Sequence, residues 1–325
     1  MKRKHFFLLF TVVCTSVYLQ AQETPPQVAA QLAAGKVEFL GPFIENFNEP
    51  TSAFFVQRRD NRAEETDFRY FPGVPSLSEK GTNIMLYRID PEDRAGAGRG
   101  PEVISNKFTH FGTYATRIRI PDITKVQPNT RAVVGYFTYH RNPIHGLSEI
   151  DWEWLIADPE ILYIGTWTGP SGNLQRVGRT LNLAKGIIYN TLYRSAAEGN
   201  RNNPLTGLQN QPETIQPIEG FNAASQFYTY GFDWYPDRLI WWILHPTTNE
   251  KIVLWDYQGS TPNFTGIPVS PTLYRMNFWH TNNWPVETNR NSIEQPLYPY
   301  ELEIDWMSYT PFEDLNRAWQ EQNKY

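Results

Sequence analysis

The sequence predicts an all-β protein built as a sandwich of two sheets. Short runs of aromatic and β-branched residues recur along the chain, separated by Gly, Pro, Asn and Asp, which is the pattern of strands joined by turns. No alternation of helical and strand patterns occurs, so a parallel α/β sheet is excluded. The hydrophobic content of 40% and the aromatic content of 15% suffice for the large core that 325 residues need.

Individual strands can be placed from these runs. The clearest are TRAVVGYFTYH at 130–140, ILYIGTWTG at 161–169 and YELEIDWMSYT at 300–310. The stretch 227–244 contains two strand patterns around Tyr235-Pro236-Asp237. Since Pro and Asp favour turns, we expect a β-hairpin there.

Two segments depart from the strand pattern. Residues 194–226 are rich in Asn, Gln, Pro and Gly and predict a long surface loop, a type that is often functional. In the C-terminal tail, residues 312–325, Leu315 and Trp319 are four positions apart, which fits either a short helix or a frayed end.

The N-terminal segment has the pattern of a secretory signal peptide. Residues 1–22 place Lys2, Arg3 and Lys4 before an apolar run that is too short to favour a membrane anchor. Residues 23–41 are expected to be a linker. The single cysteine, Cys14, lies within the signal segment, so the stability of the exported protein must depend on its core and not on disulfides. We expect the exported protein to be periplasmic, cell-surface or extracellular.

Charge and motifs exclude several classes of function. The net charge of -5 and the pI near 5.8 provide no basic field for nucleic acid. No HExxH pair or serine-hydrolase elbow is present, so metal and serine hydrolases are excluded. We expect a monomer that needs no cofactor for catalysis.

One strand pattern stands apart, the segment SEIDWEW at 148–154. With the period of a strand, Glu149, Asp151 and Glu153 share one face, whereas Ile150 and two tryptophans share the other. Neighbouring like charges destabilise a sheet, and the apolar opposite face indicates an interior strand. A plain solvated face is the alternative to a functional site.

Paired carboxylates are the residues that glycoside hydrolysis requires. In a retaining enzyme one carboxylate attacks the anomeric carbon and a protonated one delivers a proton to the leaving oxygen, with the two groups about 5–5.5 Å apart. Positions four apart on a strand are separated by ~13 Å at Cα, a gap that two Glu side chains can largely close. Crowding of three acids would also raise the pKa of the proton donor.

This segment resembles the E-x-D-x-E signature of glycoside hydrolase family 16. Four further segments resemble the family in the same order along residues 42–311. They are NKFTHFGTYATRIRIP at 106–121, YTYGFDWYPDRLIWWI at 228–243, TLYRMNFWHTNNW at 272–284 and LEIDWMSY at 302–309.

The resemblance implies a concanavalin A-like jelly roll of two curved antiparallel sheets, spanning 42–311, with a polysaccharide cleft on its concave face. It also implies a retaining mechanism with Glu149 as nucleophile, Asp151 as the assisting acid and Glu153 as general acid/base. Members of the family with an extra residue before the last Glu are commonly laminarinases or galactanases. This segment lacks that residue and is similar to the mixed-linkage β-glucanase and xyloglucan-active group.

Other readings stay open beside an endo-acting β-glucanase. A transglycosylase, a laminarinase or galactanase, and a non-catalytic carbohydrate-binding protein would all use this fold. Agarose, carrageenan and porphyran are disfavoured as substrates because the bulge is missing and because no cluster of Arg and Lys flanks the motif. The loop 194–226 is expected to wall off one end of the cleft or to add subsites.

Aromatic and polar residues near these motifs are candidates for sugar contacts, since sugar rings stack on aromatic faces. Core packing is the competing role for each aromatic. The candidates are Tyr136, Trp167, Trp279, Trp284, Asn277, Gln175 and Arg176. The resemblance further implies a structural calcium ion, with Asp305 as a ligand.

Overall fold

The computed structural model describes residues 24–33, 37–57, 70–93, 95–96, 100–123, 125–258, 265–281 and 294–323. The predicted signal peptide lies outside these residues. The strands are β1 Phe43–Glu45, β2 Phe55–Gln57, β3 Tyr70–Pro75, β4 Asn83–Ile89, β5 Glu102–Ser105, β6 Gly112–Arg119, β7 Ala132–Asn142, β8 Gly146–Leu155, β9 Ile161–Gly169, β10 Gln175–Asn182, β11 Ile187–Ser195, β12 Asn203–Pro204, β13 Tyr228–Trp234, β14 Arg238–Leu244, β15 Lys251–Gln258, β16 Leu273–His280 and β17 Tyr300–Pro311. The helices are α1 Pro26–Ala33 and α2 Glu313–Gln322, with two 3₁₀ turns at Ala196–Glu198 and Gly207–Asn210.

The strands form two antiparallel sheets, as the sequence predicts. The nine-stranded sheet has the order β12-β11-β10-β9-β8-β7-β16-β5-β2. The eight-stranded sheet has the order β15-β14-β13-β6-β17-β4-β3, and β1 pairs with β17. Neighbours such as β7 and β16 are distant in sequence, because the chain crosses repeatedly between the sheets in the manner of a jelly roll.

Large aromatic side chains fill the space between the sheets. Trp152 and Trp154 on β8 stack with their ring centres 5.7 Å apart, and Tyr230 on β13 packs against both. The indole N–H of Trp241 donates a hydrogen bond of 3.2 Å to the backbone oxygen of Asp151. Each fully buried aromatic contributes roughly 2–3 kcal/mol to the free energy of unfolding. Strand β8 is therefore held firmly from its core side.

The hairpin predicted at 227–244 forms as β13 and β14. The Tyr235 backbone N–H donates to the Arg238 oxygen at 2.9 Å, which closes the turn around Pro236. The paired residues run from Tyr230 and Ile243 to Trp234 and Leu239. Local turn chemistry was sufficient to predict this element.

The segment 194–226 is anchored in the core of the sandwich and is not only a surface loop. Its apolar residues are buried in the sandwich core, where they join the side chains of both sheets. They are Leu205, Ile215, Ile218, Phe221, Ala223 and Ala224. The segment is polar in overall composition, and the few apolar residues are what decide its position.

This segment also links the two sheets at one edge. The backbone N–H of Asp256 on β15 donates to Gln211 O at 2.7 Å, and Leu205 N–H donates to Thr191 O on β11 at 3.0 Å. The buried guanidinium of Arg179 donates to Pro212 O at 2.9 Å and to Leu254 O at 2.8 Å. The insertion therefore closes the sandwich and has a structural role.

Residues before β1 are more ordered than the predicted linker 23–41. Helix α1 buries Val28 completely against Ile104, Phe108 and Leu273. Residue Leu273 is on β16 and Ile104 on β5, so α1 covers that side of the nine-stranded sheet.

The C-terminal tail forms helix α2 and docks on the sandwich. The ring of Trp319 meets the buried His110 ring edge to face at 4.7 Å. Asn316 donates a side-chain hydrogen bond of 2.8 Å to Phe111 O. Neither helix in the described part of the chain has the length and apolarity needed to cross a membrane.

Candidate active site

Strand β8 carries the three acids of the sequence motif on one face. It lies between β7 and β9, and its pairing with both runs without a register shift from Glu149 to Glu153. Ile150, Trp152 and Trp154 therefore project into the core. The opposite face of the nine-stranded sheet, which carries the acids, is called the acid face below. Glu149 is 8% exposed and Asp151 9% exposed.

Cross-strand pairing identifies the neighbours of each acid, because paired residues in a sheet project from the same face. The row through Glu149 contains Tyr139, Trp167 and Arg176, the row through Asp151 contains Phe137, Gly165 and Gly178, and the row through Glu153 contains Gly135, Asn277 and Tyr163. The acids thus lie among aromatic, amide and guanidinium groups.

Three glycines lie on the acid face, and Gly178 is the one of them where a built Cβ meets nothing within 3.4 Å. Gly135 lies beside Glu153, and Gly165 with Gly178 continues the row through Asp151. A Cβ at Gly135 would come within 2.5 Å of Asn277 Oδ1, so that amide lies over the glycine, next to Glu153. A flat molecule such as a sugar ring can approach the backbone where no side chain stands.

We expect a bulky residue at Gly178 to reduce activity without unfolding the protein. A Cβ there meets nothing nearer than Arg176 Nε at 3.8 Å, and leucine suits a strand better than glycine. The leucine side chain of Gly178→Leu would occupy the space above the backbone at this position and displace the Arg176 guanidinium. We therefore expect kcat/KM to fall about tenfold or more. Gly178→Ala is the matched control and should retain most activity. Equal activity of both variants, with unchanged melting temperatures, would show that nothing binds over this position.

Burial dominates the electrostatics of the three acids. It raises the pKa of Glu149, of Asp151 and of Glu153 above their ordinary values, and the charge of Glu153 raises that of Glu149 further. Arg275, Arg141 and Arg176 act in the opposite direction on Glu149. Within the described residues, Glu149 Oε2 is buried without a hydrogen-bond partner. Acids in this state retain protons to a higher pH than free carboxyls and can deliver them near neutrality.

A buried ion pair on the acid face was not predicted from the sequence; its members lie in the rows of Asp151 and Glu153. Arg275 Nη1 lies 3.0 Å from Glu102 Oε1, and both side chains are at most 1% exposed. The Arg275 guanidinium also lies 5.3 Å from the centre of the Tyr139 ring, beside Glu149. The only sequence signal was a charged residue in each of two apolar strands, at 102–105 and 273–280.

Several predicted sugar contacts do lie on the acid face. Trp167 and Arg176 share the row of Glu149, and Asn277 shares that of Glu153. Half-buried Trp279 lies two positions beyond Asn277 on the same face of β16. Their roles as contacts stay predictions.

Two predicted contacts are wrong. Tyr136 is fully buried, on the core side of β7 opposite Trp152, and its hydroxyl accepts a hydrogen bond of 2.9 Å from Tyr274. Gln175 pairs with Thr168, one position out of step with Trp167, so it projects from the face opposite the acids. A shift of one residue along a strand reverses the face. Trp284 lies outside the described residues.

The predicted calcium ligand is also wrong. Asp305 pairs with the guanidinium of Arg117, which in turn binds Glu79. A cation at this distance would repel calcium and already satisfies the carboxylate. No group of three or more metal-binding side chains occurs within the described ranges. The residues present do not fit a calcium site at this position.

Comparison with known proteins agrees with the motif and the fold. No family model matches the chain. The chain is 24% identical over 289 residues to the β-glucanase of Bacillus subtilis strain 168, covering 86% of this chain and 91% of that protein. The solved structure of the Bacillus licheniformis β-glucanase superimposes with a TM-score of 0.51 at 16% identity, covering 83% of this chain and 98% of the other. The chain is therefore similar over most of its length to a β-glucanase and shares the fold of a second one.

A second solved structure has the same fold. A prokaryotic β-1,3-1,4-glucanase derived from a mouse hindgut metagenome superimposes with a TM-score of 0.50 at 18% identity, covering 84% of this chain and all of the other. Both solved structures share the sandwich fold with this chain. The E-x-D-x-E segment lies on the interior strand β8.

Proposed function

We propose that the protein is an endo-acting, retaining hydrolase of a β-linked polysaccharide, with Glu149 as nucleophile and Glu153 as general acid/base. The observation that carries this proposal is the unbroken strand β8, which holds the buried Glu149 and Asp151 and the half-buried Glu153 on one face. A structural role is a poor explanation, because crowding of three carboxyls, two of them buried, opposes folding and brings no compensating ion pair to Glu149 Oε2.

In the first step, ionised Glu149 attacks the anomeric carbon, while protonated Glu153 gives its proton to the departing oxygen. A covalent glycosyl-enzyme forms as the glycosidic bond breaks. In the second step, Glu153 removes a proton from water, which attacks the same carbon and releases Glu149. Two inversions give net retention.

Asp151, between the two glutamates, has the assisting role. Its pKa is raised by burial and by the charges of Glu149 and Glu153. In the protonated form it can donate a hydrogen bond to the nucleophile, and its ionisation opposes that of its neighbours.

We propose a β-glucan as the backbone of the substrate, and mixed-linkage β-1,3-1,4-glucan as the preferred polymer among β-glucans. Two observations support it. The strand has no bulge before Glu153, and the chain is similar over most of its length to a Bacillus β-glucanase. We propose that the enzyme is exported, on the pattern of residues 1–22. We propose residues 42–311 as the catalytic unit. Helices α1 and α2 lie outside this range and pack against it.

A reducing-end assay on several polysaccharides tests the proposal. The panel contains mixed-linkage β-glucan, laminarin, xyloglucan, agarose and carrageenan, with Glu149→Gln as the blank. We expect a rapid fall in viscosity with few reducing ends, as an endo-acting enzyme gives. Proton NMR early in the reaction should show the β-anomer of the new reducing end first. Appearance of the α-anomer first would contradict the covalent mechanism.

An added acceptor oligosaccharide separates hydrolysis from transglycosylation. A hydrolase gives the same products with and without the acceptor, whereas a transglycosylase gives longer oligosaccharides that contain it. Release from laminarin alone would preserve the roles of the acids and replace the mixed-linkage glucan by a β-1,3-glucan. Release from a galactan alone would preserve those roles and overturn the β-glucan backbone.

A further inference from the structure

Two arginines extend the row of Glu149 across the acid face. Trp167 on β9 pairs with Glu149, Arg176 on β10 pairs with Trp167, and Arg194 on β11 pairs with Arg176. Paired residues share a face, and neighbouring strands are about 4.8 Å apart. Arg176 and Arg194 therefore start about 10 Å and about 14 Å from the Glu149 backbone, on the side away from α1.

Both guanidinium groups converge on one indole ring. The Arg176 guanidinium carbon lies 5.2 Å from the centre of the Trp167 ring, and that of Arg194 lies 5.6 Å from it. Arg141, which pairs with Leu147, lies on the same face at the next acid-face position from Tyr139 and Glu149. Its guanidinium donates a hydrogen bond of 2.9 Å to Ser171 Oγ.

Several arginines in the described part of the chain are neutralised by acids, but these three are not. Arg117, Arg119, Arg238 and Arg275 each form an ion pair with a carboxylate. Among the described residues, no carboxylate forms an ion pair with Arg141, Arg176 or Arg194. All three are half-buried, so water reaches them only in part.

The acids of β8 offset this charge incompletely. They attract Arg176 at longer range, but burial keeps them protonated to a higher pH than free carboxyls. Burial lowers the pKa of Arg176, and the charge of Arg194 lowers it further. Arg176 and Arg194 are two like charges beside the Trp167 ring, in partly buried positions. An anion that binds both guanidinium groups would offset their repulsion.

We propose that the substrate is an anionic β-linked polysaccharide, whose sulfate ester or carboxylate groups bind Arg176 and Arg194 two and three strands from the nucleophile. This inference rests on the proposed function: it keeps the β-linked backbone and the roles of the acids, and it replaces the neutral polymer by one that carries acidic groups. Planar guanidinium groups bind both sulfate and carboxylate through paired hydrogen bonds. A sugar bound over Gly165 and Gly178 would bring its substituents to Arg176, whose Nε lies 3.8 Å from a Cβ built at Gly178.

The structure thus removes one reason for preferring a neutral substrate. The sequence shows no cluster of Arg and Lys beside the acidic motif, yet Arg176 and Arg194 lie on strands that come later in the chain. Sheet pairing brings them into one row with Glu149.

Binding of one backbone in three chemical forms tests the inference. The probes are mixed-linkage β-glucan, the same polymer partly sulfated, and the same polymer partly carboxymethylated, with affinity measured by electrophoresis through gels that contain each. The protein is full-length Glu149→Gln, which does not degrade the probe. We expect about tenfold tighter binding to at least one charged form, and a loss of that preference between 0.05 and 0.5 M salt.

A second variant assigns the effect to the arginine. Addition of Arg194→Gln to the Glu149→Gln background should weaken binding to the charged polymer about tenfold and leave the neutral polymer unchanged. Arg317→Gln, on α2 away from the acid face, removes the same charge and should change neither. The tighter of the two charged forms identifies the anionic group.

Equal affinity for neutral and charged polymers, or no effect of salt, would overturn the inference and leave the hydrolase proposal standing. An equal loss for both polymers in Arg194→Gln would also overturn it, because the arginine would then only support Trp167. Absence of hydrolysis by the wild type, with a salt-sensitive preference for a charged polymer, would overturn the hydrolase proposal alone.

Discussion

Glu149→Gln lowers kcat on the order of 10⁴-fold or more, whatever the polysaccharide, because an amide cannot form the glycosyl-enzyme. The substitution keeps the shape of the side chain and removes a buried charge, so the fold should be retained. Glu153→Gln lowers kcat by about 10²–10⁴-fold on the natural glycan, which needs a proton donor. On an aryl glycoside with an acidic leaving group the loss should be much smaller, since that group departs without a proton.

Azide distinguishes the two roles. In a smaller variant, Glu149→Ala, azide occupies the vacated space and attacks the anomeric carbon once, so the product is an α-glycosyl azide. In Glu153→Ala the nucleophile is intact, and azide replaces water in the second step to give the β-glycosyl azide. Product configuration is read by NMR.

Two results would contradict the roles assigned to Glu149 and Glu153. The same azide product from both variants would show that the two glutamates do not have separate roles. Near-normal turnover by either amide variant would remove that residue from the mechanism. Glu303→Gln is a suitable control, because Glu303 is a buried carboxyl paired with Arg119 on the other sheet.

The free energy of unfolding should form a plateau between about pH 4.3 and 6.5, with a fall on each side. Two sets of buried groups cause it. Burial lowers the pKa of His110 to about 3, and that of His140 and His280 to about 4. The unfolded chain takes up these protons below about pH 6.5, whereas the folded chain does not, so each histidine lowers stability by about 1.4 kcal/mol per pH unit of decrease.

The β8 acids act with the opposite sign. Their unfolded forms ionise above about pH 4.3, whereas in the folded protein burial keeps them protonated to a higher pH. Folded carboxyls with raised pKa values stabilise the protein at low pH, and that stability is lost as the pH rises. Between about pH 4.3 and 6.5 the two sets oppose each other. Below that range His140 and His280 act only to about pH 4 and His110 to about pH 3, and above it only the acids act.

Melting temperatures from pH 3 to pH 9 measure this profile. Glu149→Gln should raise stability by about 1–2 kcal/mol at pH 8 and have no effect at pH 4, where the carboxyl is protonated in both states. His280→Gln should tilt the plateau, so that stability falls as the pH rises from about 4.3 to 6.5, because the acids are then less opposed. His145→Gln, at a half-exposed position, serves as the control. A gain from Glu149→Gln that is equal at both pH values would show that burial of the charge is not its cause.

The sequence by itself determined the features that depend on neighbouring residues. Alternation along SEIDWEW assigned acids to one face of β8 and tryptophans to the other, because strand side chains have a period of two. Turn chemistry around Pro236 predicted the hairpin of β13 and β14. The order of five motifs indicated a resemblance to family 16 and a jelly roll, and the fold confirms the jelly roll.

Only the tertiary structure decided which distant residues surround the acids. Register between strands places Arg176 in the row of Glu149 and sets Gln175 on the other face, a difference of one position that composition does not encode. It also buries Tyr136, engages Asp305 with Arg117, and draws the polar segment 194–226 into the core through a few apolar side chains. Pairing partners far apart in the chain are selected by the packing of the whole sandwich. The row that joins Glu149, Trp167, Arg176 and Arg194 therefore exists only in the folded protein.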